Sequence, residues 1–434
     1  MKKVLVLAYD FPPLISIGGQ RPYSWYKYFP LFGYQVTVVS RQWSESINSP
    51  EDYVKPLGNN TIITADEKGT QTLLFVPYKP NLRDKLLLKY GYNRFALVRK
   101  LLTFFYAFAE HLFLKFDAKA EIYRQADAFL AGNKVDYIIA TGEPFIMFKY
   151  GSRLAARYNI PWVADYRDGW TTNQGNYNPG VLQRLQIAFY RLREQLYISN
   201  AALVTTPAPE YASVLKELHP GKKVGVVYNG YDEDAFTGLE NVQPTSDKFV
   251  ISYAGIIYPH QNLEMFLDGL DVFLSKGDVD VSKVEVNFYG LTSQPDSVAR
   301  VKKKISVADV INFTPKLPYT EIVKKLKASH VQLLLTAKGA NWLNAKVFDY
   351  LGTGQPIMLV ENDHSVLEKM VKIGKGAAMN SANEVAEYLW QQHEQWKSGI
   401  AITGPVSEAA KEYTRSQQAK NFCALLDLQL KAEK

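Results

Sequence analysis

Cysteine occurs once, as Cys423. No internal disulfide and no cysteine-built metal site can form, and the chain suits a reducing cytoplasm. Histidine is also scarce, six in all, which leaves little for chemistry that needs imidazole acid and base pairs. No run of 18 uninterrupted apolar residues occurs, so no transmembrane helix is predicted. The start, MKKVLVLAYDFPP, is basic and then apolar. The run is short, and Asp10 follows with no small-residue cleavage site. It therefore reads as a first buried strand rather than a signal peptide. An RNA-binding aromatic signature, a zinc finger and a strong helix-turn-helix are all missing, which argues against a nucleic-acid partner.

What is present describes a folded, globular chain. Hydrophobic residues make up 47% and charged residues 21% of 434 positions, enough for two or three domains with ample core. The net charge of +7 favours an anionic partner such as a nucleotide or a phospholipid.

Short apolar runs alternate with helical stretches. KVLVLAY (3–9), QVTVVS (35–40), VDYIIA (135–140), PWVADY (161–166), ALVTTP (202–207) and KVGVVYN (223–229) read as strands. Most are apolar on both faces, as parallel strands covered by helices are. The polar, turn-rich segment 237–248 marks a domain junction. The rhythm then restarts with FVISYAG (249–255), KVEVNFYG (283–290), VINFTP (310–315), VQLLLTA (331–337) and PIMLV (356–360). The expected fold class is α/β, with two Rossmann-like domains facing across a cleft. Residues 1–240 form the N-terminal Rossmann-like domain in this reading, and 248–404 the C-terminal one. Residues 405–434 form a helical tail expected to pack back on the N-terminal domain.

Ligands of such sheets bind at the carboxyl ends of the strands, so the loops there carry the candidates. After the first strand, Gly18 and Gly19 precede a helix, with Arg21 close by. Glycines at a helix N-terminus let backbone N–H groups approach a phosphate; a plain loop is the alternative, and the spacing is not GxGxxG. In ATGEPF, Glu143 sits at a strand end, either in the site or as a cap. ADYRDGW (164–170) crowds Asp165, Arg167 and Asp168 among aromatics. That suits a polar ligand, or an internal Asp–Arg pair. Gly255 ends another strand, and His260 precedes a helix, so the two could face a diphosphate. Lys316 and Leu317 lie between prolines in a stiff loop that can offer backbone groups to a flat base. In TAKGANWLNAKVFDYLGTG, residues Asn341, Trp342, Leu343 and Asn344 lead into a helix. There Lys346 and Asp349, three apart, share one face. A cation and a carboxylate side by side could hold a phosphate and a ribose diol. As a surface ion pair they would contribute only ~0.5 kcal/mol.

Taken in order, DFPP…GG.R, GEP, PWVADYRDGW, VVYNGYD (226–232) and KVFDYLGTGQPI resemble the retaining, nucleotide-sugar-dependent glycosyltransferases of the GT-B fold, family 4, in the branch that builds bacterial surface polysaccharides. The resemblance covers nearly the whole chain. It implies that Asp349 stands where the family has a Glu that holds the donor ribose. Eight residues earlier, Asn341 stands where the family often has a second Glu on the sugar. The backbone around Trp342, Leu343 and Asn344 would face sugar and phosphates, Leu317 would face the base, and Gly18 and Gly19 would lie over the diphosphate. After the glycine of YAG, where many members carry Arg and Lys, this chain has His260, Gln261 and Asn262. Lys346 and Arg21 are then the available cations. Many members also place a His near the reacting sugar, where this chain has DYRDGW; Arg167, Asp168, Asp165 and Glu143 are the catalytic candidates instead.

The resemblance implies a metal-independent transferase with no cofactor, its substrate a nucleoside-diphosphate sugar and foremost a UDP-sugar. The acceptor would be a glycan or a lipid-linked saccharide. A nucleotide-sugar epimerase of the same fold, or a non-catalytic partner of another glycosyltransferase, are the alternatives. Residues 86–116, apolar and aromatic with interspersed Lys and Arg, read either as a core helix or as an element that contacts an anionic membrane. The expected location is the cytoplasm, at the inner face of the membrane in the second of those readings.

Overall fold

Strand β1 (Lys2–Leu7) shows why the first sheet is covered on both sides. Val4 and Val6 join one buried cluster, and Leu5 and Leu7 join another. Successive strand residues point to opposite faces, so both faces are apolar and both take helices. In this computed structural model, residues 1–66, 69–172, 180–245, 247–339, 343–399 and 406–432 are described. The chain divides into two units, Met1–Tyr228 with Ala419–Lys434, and Asn229–Gln418.

The first unit continues with β2 (Tyr34–Arg41), β3 (Ile62–Ala65), β4 (Gln71–Val76), β5 (Tyr137–Gly142), β6 (Trp162–Tyr166), β7 (Leu203–Thr206) and β8 (Val224–Val226). Its helices are α1 (Ile17–Tyr28), α2 (Leu82–Tyr90), α3 (Ala96–Leu112), α4 (Ala120–Gly132), α5 (Ile146–Tyr158), α6 (Val181–Ile198) and α7 (Pro209–Leu218). The strand order is β3-β4-β2-β1-β5-β6-β7-β8, parallel except for β3 against β4. The chain winds outward on one side of β1 and then crosses to β5 to wind the other way. The switch point therefore lies between β1 and β5, where such sheets bind ligands.

The second unit repeats the plan with β9 (Phe249–Ala254), β10 (Val284–Tyr289), β11 (Ile311–Thr314), β12 (Val331–Leu335), β13 (Ile357–Val360) and β14 (Ala377–Met379). They are all parallel, in the order β11-β10-β9-β12-β13-β14, with the switch between β9 and β12. Helices α8 (Leu263–Leu274), α9 (Pro295–Lys302), α10 (Tyr319–Lys327), α11 (Lys346–Thr353), α12 (Val366–Ile373), α13 (Ala382–Lys397) and α14 (Glu408–Lys411) connect and follow them.

The last helix, α15 (Arg415–Ala432), runs into the first unit. Phe422 meets Trp25 and Phe29 edge-on at 5.3 and 5.6 Å. The hydroxyl of Tyr137 donates to the Leu426 carbonyl at 2.5 Å, and Asp427 bonds to Lys2 and Tyr34. Burying a side chain such as Phe422 or Leu426 contributes about 1.5–3 kcal/mol each, so this helix is part of the first unit's core.

Three strands were not expected from the sequence. β3 is exposed along its whole length at the sheet edge, β4 is half-buried, and β14 has three residues. The stretch 86–116 is not a core helix. Within α3 the buried residues are Arg99, Ala109 and His111, while Leu97 and Leu101 are 79% and 74% exposed. Among the described residues no helix is long and apolar enough to cross a membrane.

Candidate functional site

In the second unit, three strands end side by side at Gly255, Gly290 and the loop holding Lys316. The N–H of Gly255 donates to Tyr289 O at 2.8 Å, and that of Gly290 to Thr314 O at 3.0 Å. Both glycines have positive φ, +96° and +86°, a conformation open to glycine and strained for residues with a Cβ. The result is a shelf of bare backbone. Lys346 lies over it: a Cβ on Gly255 would stand 3.0 Å from Lys346 Cε. The Lys346 ammonium donates to Tyr253 Oη at 2.6 Å and to Ile256 O at 2.8 Å, and sits 4.2 Å from the Tyr253 ring centroid. Burial pulls its pKa down to about 7.

Lys346 is the first residue of α11, whose N-terminal amides and dipole favour an anion. Asn344 Oδ1 accepts from the Lys346 N–H at 3.1 Å, and Tyr350 Oη accepts from the Ala254 N–H at 3.1 Å, fixing the helix start against β9. Asp349 stands one turn on. Its Oδ1 accepts from Tyr319 Oη at 2.6 Å. Burial raises the Asp349 pKa, opposed by the Tyr319 hydrogen bond and Arg415, and reinforced by Asp232. Arg415 itself pairs with Asp232 at 3.4 Å. Lys346 and Asp349 thus share a face of α11 without forming an ion pair with each other.

The other candidates of this unit are more peripheral. His260 is exposed and stacks on Tyr258, centroids 5.7 Å apart. Arg300 braces the loop beneath, donating to Gln261 O at 2.9 Å. Lys316 is exposed, and Leu317 and Leu343 are half-buried. Asn341 and Trp342 lie outside the described residues.

In the first unit, the switch point opens into a cleft of about 560 Å³ lined by Tyr9, Asp10, Glu143, Arg167, Trp170 and Tyr190 among others. Arg167 is fixed at its rim. Its Nε donates to Gly142 O at 2.6 Å and its Nη2 to Glu143 O at 2.7 Å, with Asp10 Oδ2 3.8 Å from Nη1. Gly18 allows this approach, since a Cβ there would run into Arg167 Nη1 and stand 2.7 Å from Asp10 Oδ2. Gly19 donates its N–H to the N-cap Ser16 Oγ at 3.0 Å, so that donor is already partnered. Burial raises the pKa of Asp10, countered by Arg167. Burial and then Asp168 raise that of Glu143. Asp168 is exposed. Opposite these charges, Trp170 stacks on Phe145 at 5.2 Å and on His111 at 5.5 Å.

Arg21 and Asp165 meet each other beneath the cleft, both buried. Arg21 Nε lies 3.1 and 3.0 Å from the two Asp165 oxygens, and its Nη2 lies 2.7 Å from Oδ1. Thr141 and Thr205 hydroxyls donate to the same carboxylate at 2.9 and 2.8 Å. Arg21 Nη1 donates to Val227 O at 2.6 Å. Arg21 and Asp165 therefore brace the ends of β6, β7 and β8 from within.

Several site residues were not singled out in the sequence. Asp10 stands three residues after β1 and Gly290 directly follows β10, so strand-end position was the available signal for both. Tyr319 and Arg415 reach Asp349 from distant segments, as does Asp232 at the end of VVYNGYD, and His111 reaches the cleft from α3; no local pattern marks Tyr319, Arg415 or His111.

Two doubly wound parallel sheets, each with its polar and glycine-rich loops at the carboxyl ends of its strands, define the GT-B architecture. Solved structures share it. Sucrose-phosphate synthase from Thermosynechococcus elongatus superposes with a TM-score of 0.62 at 12% identity, with 100% of both chains covered. A glycosyltransferase from Rickettsia africae gives 0.59 at 13% identity over 99% of each chain. Anabaena HepE, solved with UDP and glucose, gives 0.58 at 12% identity over 98% of this chain and 100% of that one. No family model and no curated protein matches the sequence.

Proposed function

We propose that the protein is a glycosyltransferase. It moves a sugar from a nucleoside-diphosphate sugar, foremost a UDP-sugar, to a glycan or lipid-linked acceptor, with retention of configuration and without a metal. The observation that carries this reading is the placement of Lys346 over the Gly255–Gly290 shelf, one helical turn from Asp349. The diphosphate gains charge as it leaves the sugar. Lys346, the α11 N-terminus and the open backbone would stabilise that charge more in the transition state than in the bound donor. Asp349 would accept from the ribose hydroxyls. HepE, with the same fold, was solved with UDP and glucose, which supports the choice of donor. The first-unit cleft, with carboxylates facing aromatic rings, suits the hydroxyls and the apolar face of an acceptor sugar.

Titration of UDP and UDP-sugars by calorimetry, with GDP, ADP and dTDP counterparts, tests the donor assignment. Asp349→Ala should weaken nucleotide binding by about 1.5–3 kcal/mol, the scale of a hydrogen bond to a charged group, while the chain stays folded. Unchanged affinity would remove Asp349 from the site. Donor hydrolysis without acceptor separates an active enzyme from a binding partner.

At the first-unit rim, Asp168→Asn should reduce turnover while leaving donor affinity and melting temperature in place, because Asp168 is exposed. Arg167→Ala should cost stability as well, because two backbone carbonyls lose their donor. Equal losses of stability in both variants would argue that this corner is structural only.

A further inference from the structure

The first unit leaves two helix faces uncovered. On α3, Leu97, Leu101, Phe105 and Leu112 are exposed, at spacings of three or four residues or their sum, and so form one stripe. On α6, Leu185, Leu192 and Leu196 do the same, four and seven residues apart, with Leu182 at the helix start. The helices are neighbours: the rings of Phe108 and Phe189 lie 4.8 Å apart. The stripes therefore belong to one apolar face, larger than scattered surface leucines explain.

The exposed charges on these helices and the turns beside them have one sign. Arg94, Lys100, Lys115 and Arg191 are all exposed. The acidic residues of α2, α3 and α6 are withdrawn. Asp84 and Glu194 are fully buried, and Glu110 is paired with Lys119 at 3.0 Å. Arg99, another basic residue of 86–116, is buried and bonds to Tyr92 O. A second copy of this face would bring basic residues against basic residues with no acid to meet them. An anionic bilayer meets both demands, since its interface takes apolar side chains and its headgroups take the cations.

We propose that the α3–α6 face docks this protein on an anionic membrane surface. The same two helices line the first-unit cleft, through Glu110 and His111 of α3 and Gln186 and Tyr190 of α6. A docked protein would hold the cleft mouth beside the headgroups. Resting on the glycosyltransferase reading, this narrows the acceptor to a saccharide anchored in the bilayer by a lipid.

Co-sedimentation of the full chain with vesicles of phosphatidylcholine and phosphatidylglycerol tests the docking face. Binding is expected at low salt, weakening as salt rises, and is expected to be much weaker on phosphatidylcholine alone. Replacing Arg94, Lys100 and Arg191 with Gln should lower partitioning about fivefold per charge removed. Leu101→Glu with Leu185→Glu should abolish it. All five side chains are exposed, so circular dichroism and UDP titration should match the parent. No binding to anionic vesicles at low salt overturns the proposal. So does equal binding to neutral vesicles, or binding that both sets of variants leave intact. A concentration-dependent dimer that Leu101→Glu dissociates, with no vesicle binding, would assign the face to a second copy instead. Vesicle binding by a chain that fails to bind any nucleotide would keep the face and discard the glycosyltransferase reading.

Discussion

Asp165→Ala should destabilise the first unit by about 3–5 kcal/mol, the usual cost of removing one partner from a buried ion pair. Asp165 is fully buried and accepts from the Arg21 guanidinium and two threonine hydroxyls. Alanine would take the carboxylate from a buried guanidinium that also bonds to Val227 O and Tyr228 O, and the acceptor from two threonine hydroxyls. Each loss is a desolvation cost. Urea unfolding followed by tryptophan fluorescence measures the change. UDP affinity, which the proposed function assigns to the second unit, should persist under conditions where the chain remains folded. A variant with unchanged stability and lost turnover would instead put Asp165 at the reacting centre.

UDP affinity should fall about tenfold per pH unit above pH 7, because Lys346 titrates there. Its pKa is about 7 in the free protein, and a bound diphosphate favours the ammonium. Above pH 7 the amine must take up a proton to bind, whereas below pH 7 it already carries one, so affinity flattens. Calorimetry in two buffers of different ionisation enthalpy would show the proton uptake directly. Lys346→Met should remove both the uptake and about 1.5–3 kcal/mol of binding. Folding moves with the opposite sense. The folded pKa lies below that of an unfolded lysine, so the unfolded chain holds more protons between about pH 7 and 10, and this group's contribution to stability rises with pH across that window. A flat affinity profile from pH 6 to 9 would place the diphosphate elsewhere.

The fold was legible because both sheets are parallel and buried. Runs such as KVLVLAY and VQLLLTA are apolar on two faces and have few other places to go. Edge strands lack that constraint: β3 is exposed throughout, and its sequence carries no alternation to betray it. The shared helix face of Lys346 and Asp349 was legible because helix periodicity puts residues three apart on one face. What lies opposite them was not, since Tyr319 and Arg415 arrive from segments 30 and 66 positions away in the chain. The DYRDGW charges show the same limit. Local sequence placed Asp165 and Arg167 together, but only the third dimension turns Asp165 inward to Arg21 and leaves Arg167 on the cleft. The 86–116 stretch was ambiguous because apolar content does not say which face is covered. Exposure of Leu97 and Leu101 answers that.

Helix α15 bears on how the molecule is made. Its residues from Ala419 onward fill the first unit's core beside Trp25 and Phe29, yet they leave the ribosome after every other segment described above. The opening eight-stranded sheet must wait with that flank bare while nearly 200 further residues are translated. The contiguous body in the middle can mature during that interval. Nascent chains that have emerged from the ribosome only as far as Gln418 should therefore carry a complete second unit and an incomplete first one that engages chaperones.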